Sequence, residues 1–170
     1  MTMDKEKFWS LIAACRREAD GDAEEQAQLL EGRLSKLSPS DIIEFDKIYD
    51  EFRIAAYDWK LWGAAFVING GCSDDGFEYF RGWLIAQGEK VYSQALLDPD
   101  SLAEVIGVGD GDQDCECEDM LYVASRAFEA TTGKKIPKRV VAFPREPKGE
   151  KWDEEDLPEL LPRLWSRTGS

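Results

Sequence analysis

The chain contains no histidine. That absence removes His-based nucleophilic triads, the usual proton shuttle near neutral pH and every His-containing metal site. Long apolar runs are missing too, and none approaches the roughly 18 residues that mark a membrane-spanning helix. The first residues, MTMDKEKFWSLIAACRREADGD, lack the apolar h-region of a secretory signal, so a cytoplasmic protein is expected. Positive charge is scarce: 21 Lys and Arg stand against 35 Asp and Glu, a net charge of −14. Such a surface repels nucleic acid and anionic membranes, whose binding depends on Lys and Arg. It suits solubility, or a basic protein partner. Cysteine is sparse, at positions 15, 72, 115 and 117. A chain of this length builds its own core without a disulfide framework. A structural zinc site without histidine would need all four thiols to converge, which their spacing does not suggest. A Cys115–Cys117 disulfide would be strained, so reduced thiols are expected.

What is present is a core-forming composition, 43% hydrophobic and 11% aromatic. Most of it repeats with helical period. Phe8, Leu11, Ile12 and Cys15 mark a first helix over 4–19, closed by Gly21. Asp22 caps a second, to about Lys36. Ser38-Pro39-Ser40-Asp41 opens a third, whose long pattern is expected to break near Tyr57-Asp58 before continuing through Ile68. Asn69-Gly70-Gly71 stops that segment. Further helices are predicted over about 75–87, 89–96 and 119–131, with a turn from Pro99 to Glu104 and a loop over 107–114. Pro137, Pro144 and Pro147 make the next stretch extended, and Arg139-Val140-Val141-Ala142-Phe143 also fits one minor β pair. A final short helix begins near Trp152 and is limited by Pro162. The predicted fold is all-α: one domain of six to eight helices over residues 4–166, with residues 1–3 and 167–170 frayed.

Charge is unevenly placed. Residues 98–119 hold nine acidic side chains and no basic one, whereas residues 134–151 hold seven basic and two acidic. The two stretches could face each other, or be separate solvated surfaces. Asp110, Asp112 and Asp114 alternate as calcium ligands do. Counting from Asp110, however, the sixth loop position is Cys115 instead of Gly and the twelfth is Leu121 instead of Glu. They read better as acids preceding a helix start, with weak divalent-cation binding as the alternative.

The densest patch is NGGCSDDGFEYFRGWLIAQG, residues 69–88. Asp75 with Glu78 resembles a capping box, with Ser73 or Asp74 as alternative caps. Phe77, Phe80 and Leu84 form an inward stripe with Trp83 beside it, and Glu78 is placed to pair with Arg81 three residues on. Cys72 precedes a helix start, where a thiolate would be stabilised. The same residues allow chemistry. Asp74, Asp75 and Glu78 could hold Mg²⁺ or position a water for a metal-assisted hydrolase. Trp62, Tyr79, Arg81, Trp83 and Gln87 could line a pocket in which Arg81 meets a small anion.

The run Trp62 to Gly88 resembles the hallmark of the bacterial domain-of-unknown-function family 4240. Phe8-Trp9, Leu121-Tyr122-Val123-Ala124, Thr132-Gly133 and Pro147-Lys148-Gly149-Glu150-Lys151-Trp152 fit the same pattern, so the resemblance covers nearly the whole chain. It implies a stand-alone bacterial domain of the kind common in actinobacteria, and brings no established activity and no catalytic residues. The leading expectation is therefore a non-enzymatic binding or regulatory domain. Its acidic face would contact a basic protein, as an inhibitor or immunity protein does, with no resident cofactor. The monomer and the homodimer both remain open.

Overall fold

The computed structural model describes residues 2–106 and 115–168. Nine α-helices are present among them: α1 (Lys5–Glu18), α2 (Ala23–Leu34), α3 (Pro39–Ala55), α4 (Trp59–Asn69), α5 (Asp74–Ala86), α6 (Glu89–Leu97), α7 (Val123–Thr132), α8 (Leu157–Leu160) and α9 (Pro162–Thr168). Seven have nine residues or more, and α8 and α9 are short. The fold is all-α. No helix of the described residues is long and apolar enough to cross a membrane.

The helix starts follow from local hydrogen bonding. The side chains of Asp4, Asp22, Ser38, Asp58 and Ser73 each accept a backbone N–H of the first turn that has no partner inside the helix. Pro39 opens α3, where its missing N–H is of no consequence. The long apolar pattern breaks at Tyr57-Asp58 as expected, and Gly70, with φ 69°, ends α4 in the left-handed conformation.

Helices α2 and α3 both pack on α7, α1 packs on α2, and α5 lies against α3 and a 3-10 turn at Glu118–Leu121. Phe8, Phe45, Phe77 and Phe80 are fully buried. Each contributes on the order of 1.5–3 kcal/mol in area removed from water. Phe8, Trp9, Phe52 and Tyr92 join α1, α3 and α6 through ring contacts of 4.7–5.4 Å.

Several expectations need correction. The seventh predicted helix is divided: the Glu118–Leu121 turn ends at Tyr122, and α7 follows. The helix entered near Trp152 ends at Leu160, before Pro162 as expected, but Pro162 then opens a further short helix, α9. Asp100, from the 3-10 turn Pro99–Glu104, reaches across to accept the amides of Arg163 and Leu164 at 3.1 and 2.8 Å. This tertiary cap explains how a seven-residue helix persists. Arg167 Nε donates to the Ala103 carbonyl at 2.8 Å, and the buried Met3 donates its amide to Asp41 at 2.9 Å. The minor β pair at 139–143 is not formed. No strand is present there or beside it among the described residues, and Val140 points wholly into solvent. The isolated bridge of the described residues joins Asp58 and Lys148.

Candidate functional site

Asp46, Asp50 and Arg53 recur at helical spacing along one face of α3, and Asp74, Glu78 and Arg81 do so along α5. The two faces meet. Arg53 bonds Glu78 at 2.7 Å and Asp50 at 3.1 Å. The extended segment after α7 crosses above them and inserts Arg139, which bonds Asp46 at 2.6 Å and Asp50 at 2.5 Å. Phe143, further along this segment, lies 4.9 Å from the Tyr57 ring. Together these groups bound a cleft of about 480 Å³ lined by Arg53, Tyr57, Asp74, Asp75, Glu78, Arg81, Arg139, Val141 and Phe143.

Arg81 is the unusual member. It is 3% exposed, and among the described residues it forms no ion pair. Its Nε donates to the Phe77 carbonyl at 3.3 Å, one turn back. Its Nη1 donates to the Arg53 carbonyl at 3.1 Å, one of the last carbonyls of α3, which lack partners inside that helix. No hydrogen bond from its Nη2 is found among the described residues, and Nη2 is not one of the fully buried unpaired atoms, which are Gln26 Oε1 and Tyr49 Oη. The guanidinium lies over Phe77, Tyr57 and Phe143 at 4.7, 4.9 and 5.6 Å from the ring centres. Burial, and then repulsion from Arg53, pulls its pKa down to about 10, so it remains cationic at neutral pH.

The expected Glu78–Arg81 pair is therefore absent. Glu78 turns to Arg53 on the neighbouring helix, and Arg81 lies beneath the aromatic rings instead of in water. The anion pocket drawn from the sequence is also corrected. Of Trp62, Tyr79, Arg81, Trp83 and Gln87, Arg81 alone lines the cleft. At about 100° per residue, Tyr79, Trp83 and Gln87 fall on the opposite side of α5 from Asp74, Glu78 and Arg81. Trp83 packs on Phe80 at 5.5 Å, Gln87 is the residue that ends α5, and the Tyr79 carbonyl receives the Cys117 amide at 2.9 Å. Trp62 stacks on Phe77 at 4.9 Å and donates its indole N–H to the Cys72 carbonyl at 3.0 Å.

Ser73, and not Asp75, caps α5, through a 3.1 Å bond from the Gly76 amide. Asp74 and Asp75 are left exposed in the first turn at the cleft mouth. With Glu78 engaged by Arg53, no group of three or more Cys, Asp and Glu side chains among the described residues is placed to hold a metal ion. Asp110, Asp112 and Asp114 lie outside the described residues. Cys72 departs from the expected activated thiol: burial and then Glu116 push its pKa up to about 12. The Cys15 and Cys117 thiols are also raised by burial. Asn69, read as part of a helix stop, also joins the Cys115 backbone, accepting its amide at 3.2 Å.

Sequence reasoning missed Asp46, Asp50, Arg53, Tyr57, Arg139 and Phe143. A signal existed in the helical spacing of the first three and in the alternation Arg139-x-Val141-x-Phe143, but nothing local joins the two.

A larger cleft of about 880 Å³, between the end of α6 and α8, is lined by Lys60, Leu97, Lys151, Trp152, Glu159 and Leu160 among others. No buried charge points into it.

The family model described as "Protein of unknown function (DUF4240)" matches residues 3–130, which include Arg53, Glu78 and Arg81. No curated protein and no solved structure matches the chain.

Proposed function

The chain belongs to the DUF4240 family, and we propose from the geometry of the α3–α5 cleft that it binds a small anionic ligand through Arg81. The observation that carries this reading is a buried guanidinium with no carboxylate partner at a cleft wall. A buried guanidinium without a carboxylate partner is costly, and two carbonyls and three rings leave donors of its fork free for a ligand at the cleft. Arg53 and Arg139 supply further guanidinium groups, each already oriented by carboxylates. Planar, forked donors of this kind suit phosphate and carboxylate groups. Tyr57 and Phe143 give the cleft aromatic walls that would pack on an organic part of the ligand.

Inorganic phosphate and phenyl phosphate are suitable probes, titrated while the Arg81 Nε–H resonance is followed by NMR. A saturable shift is expected, with phenyl phosphate the tighter of the two. Arg81→Lys keeps the charge but loses the fork, and is expected to weaken binding by about tenfold, or roughly 1.4 kcal/mol. Absence of a saturable shift with either probe at about 10 mM, where even a Kd near 1 mM would saturate, would refute the proposal.

The excess of acidic residues supports a second reading, an acidic surface for a basic protein partner. Association through it would slow steeply with added salt, and an association rate indifferent to salt would count against it.

A further inference from the structure

Helix α7 ends at Gly133, and the next backbone attachment to the helical body is at Lys148. There the Lys148 amide donates to the Tyr57 carbonyl at 3.0 Å, and the Trp59 amide donates to the Lys148 carbonyl at 2.9 Å. Between these points the chain makes backbone bonds only to itself among the described residues: Phe143 to Val141, and Lys134 to the Thr132 hydroxyl. Pro137, Pro144 and Pro147 lack the N–H that a ladder would use. Side chains alone hold the segment down. Arg139 is seated between Asp46 and Asp50, and Phe143 lies on Tyr57, with its ring 5.0 Å from the Arg53 guanidinium and 5.6 Å from that of Arg81. Val140 between them is fully exposed, and Phe143 is 38% exposed. The segment also lies beyond the span matched by the family model, whereas the residues it covers lie inside that span.

We propose that residues 134–147 are a hinged strap over Arg81, latched by Arg139 on Asp46 and Asp50, which opens to expose the guanidinium and closes to add Arg139 to the bound ligand. The role in ligand closure rests on the anion-binding reading, while the opening itself does not. A segment secured by a few partly exposed side chains, without ladder bonds, belongs at the low-stability end of the local unfolding spectrum. Opening removes the ring that covers Arg53 and Arg81 and leaves the helix ladders of α3 and α5 intact. Lids of this kind hold a ligand away from water while their hinges stay fixed, here at Gly133 and Lys148.

The test follows two signals in the ligand-free protein: hydrogen exchange of the 139–143 amides, and the rate at which phenylglyoxal modifies Arg81, located by peptide mass. In the wild type the 139–143 amides are expected to exchange far faster than those of α3 and α5. Asp46→Asn weakens the latch without altering a cleft-lining residue, and is expected to raise the Arg81 modification rate a few-fold, the scale of one ion pair, while the 139–143 amides, already without ladder bonds, stay fast. Arg139→Gln is the second variant, expected to raise the Arg81 modification rate at least as much. Equal protection of the strap and the two helices, or an Arg81 modification rate that neither variant changes, would overturn the strap. Failure of phosphate to bind while the Arg81 modification rate responds would sink the anion reading and the closing role, leaving the opening in place.

Discussion

Gly82 lies inside α5, where glycine costs a helix about 1 kcal/mol relative to alanine. On propensity alone, Gly82→Ala should stabilise the protein. The surroundings predict the reverse. A Cβ there would sit 2.7 Å from the Cys117 carbonyl oxygen and 3.3 Å from both Met120 Cβ and the Tyr49 hydroxyl. Ordinary contact begins near 3.4 Å, so the Cys117 backbone would have to retreat. It cannot do so freely, because its amide is bonded to Tyr79 on the same helix at 2.9 Å. Overpacking of this kind costs about 1–3 kcal/mol, and straining the Cys117–Tyr79 bond adds roughly 1 kcal/mol. After the propensity gain, the net loss should be about 1–3 kcal/mol. A loss of ~2 kcal/mol corresponds to a fall of about 4–8 °C in Tm for a domain of this size. Urea unfolding measures it through the midpoint at constant slope. Gly32→Ala in α2 is the internal control: nothing lies within 4 Å of its added Cβ, so it should stabilise by up to about 1 kcal/mol. If Gly82→Ala matched Gly32→Ala, the close approach of the 117–120 backbone to α5 would be refuted.

Two further outcomes are expected. Tyr49 buries its hydroxyl without a hydrogen-bond partner among the described residues, so Tyr49→Phe should be neutral or stabilising by up to about 1 kcal/mol; a clear loss of urea stability would contradict that. Asp41 has its pKa lowered first by the Met3 amide and then by the Ser38 hydroxyl. A lowered carboxyl contributes stability above its unfolded pKa and loses it as pH falls through the folded pKa. Asp41→Asn should therefore be less stable than wild type at neutral pH and converge with it in acid; a constant difference in melting across that range would contradict the linkage.

The charge pattern illustrates how local reading fails. Residues 98–119 and 134–151 have opposite sign, and a facing pair was one reading of that. Instead Arg139 reaches Asp46 and Asp50 of α3. In the acidic stretch, Asp100 caps α9, Glu104 pairs with Arg163 and Asp119 pairs with Arg126 at 3.2 Å. Sign alone cannot choose among these partners. Asp46 shows why: burial pushes its pKa up even with Arg139 beside it, so the pairing depends on how much water each position loses.

Read alone, the sequence determined the helical class, the caps at Asp22 and Ser38, the break at Tyr57-Asp58 and the inward stripe of Phe77, Phe80 and Leu84. All of these rest on interactions within about four residues, where side-chain type and backbone position are tied together. Tertiary structure decided the candidate site. Glu78 could have taken Arg81, three residues away, and took Arg53, 25 residues away. Arg81 was then left under rings from α3's exit, from α5 itself and from a strap more than 60 residues later in the chain. Those choices compare desolvation, stacking and hydrogen bonding among groups that only the folded packing brings together.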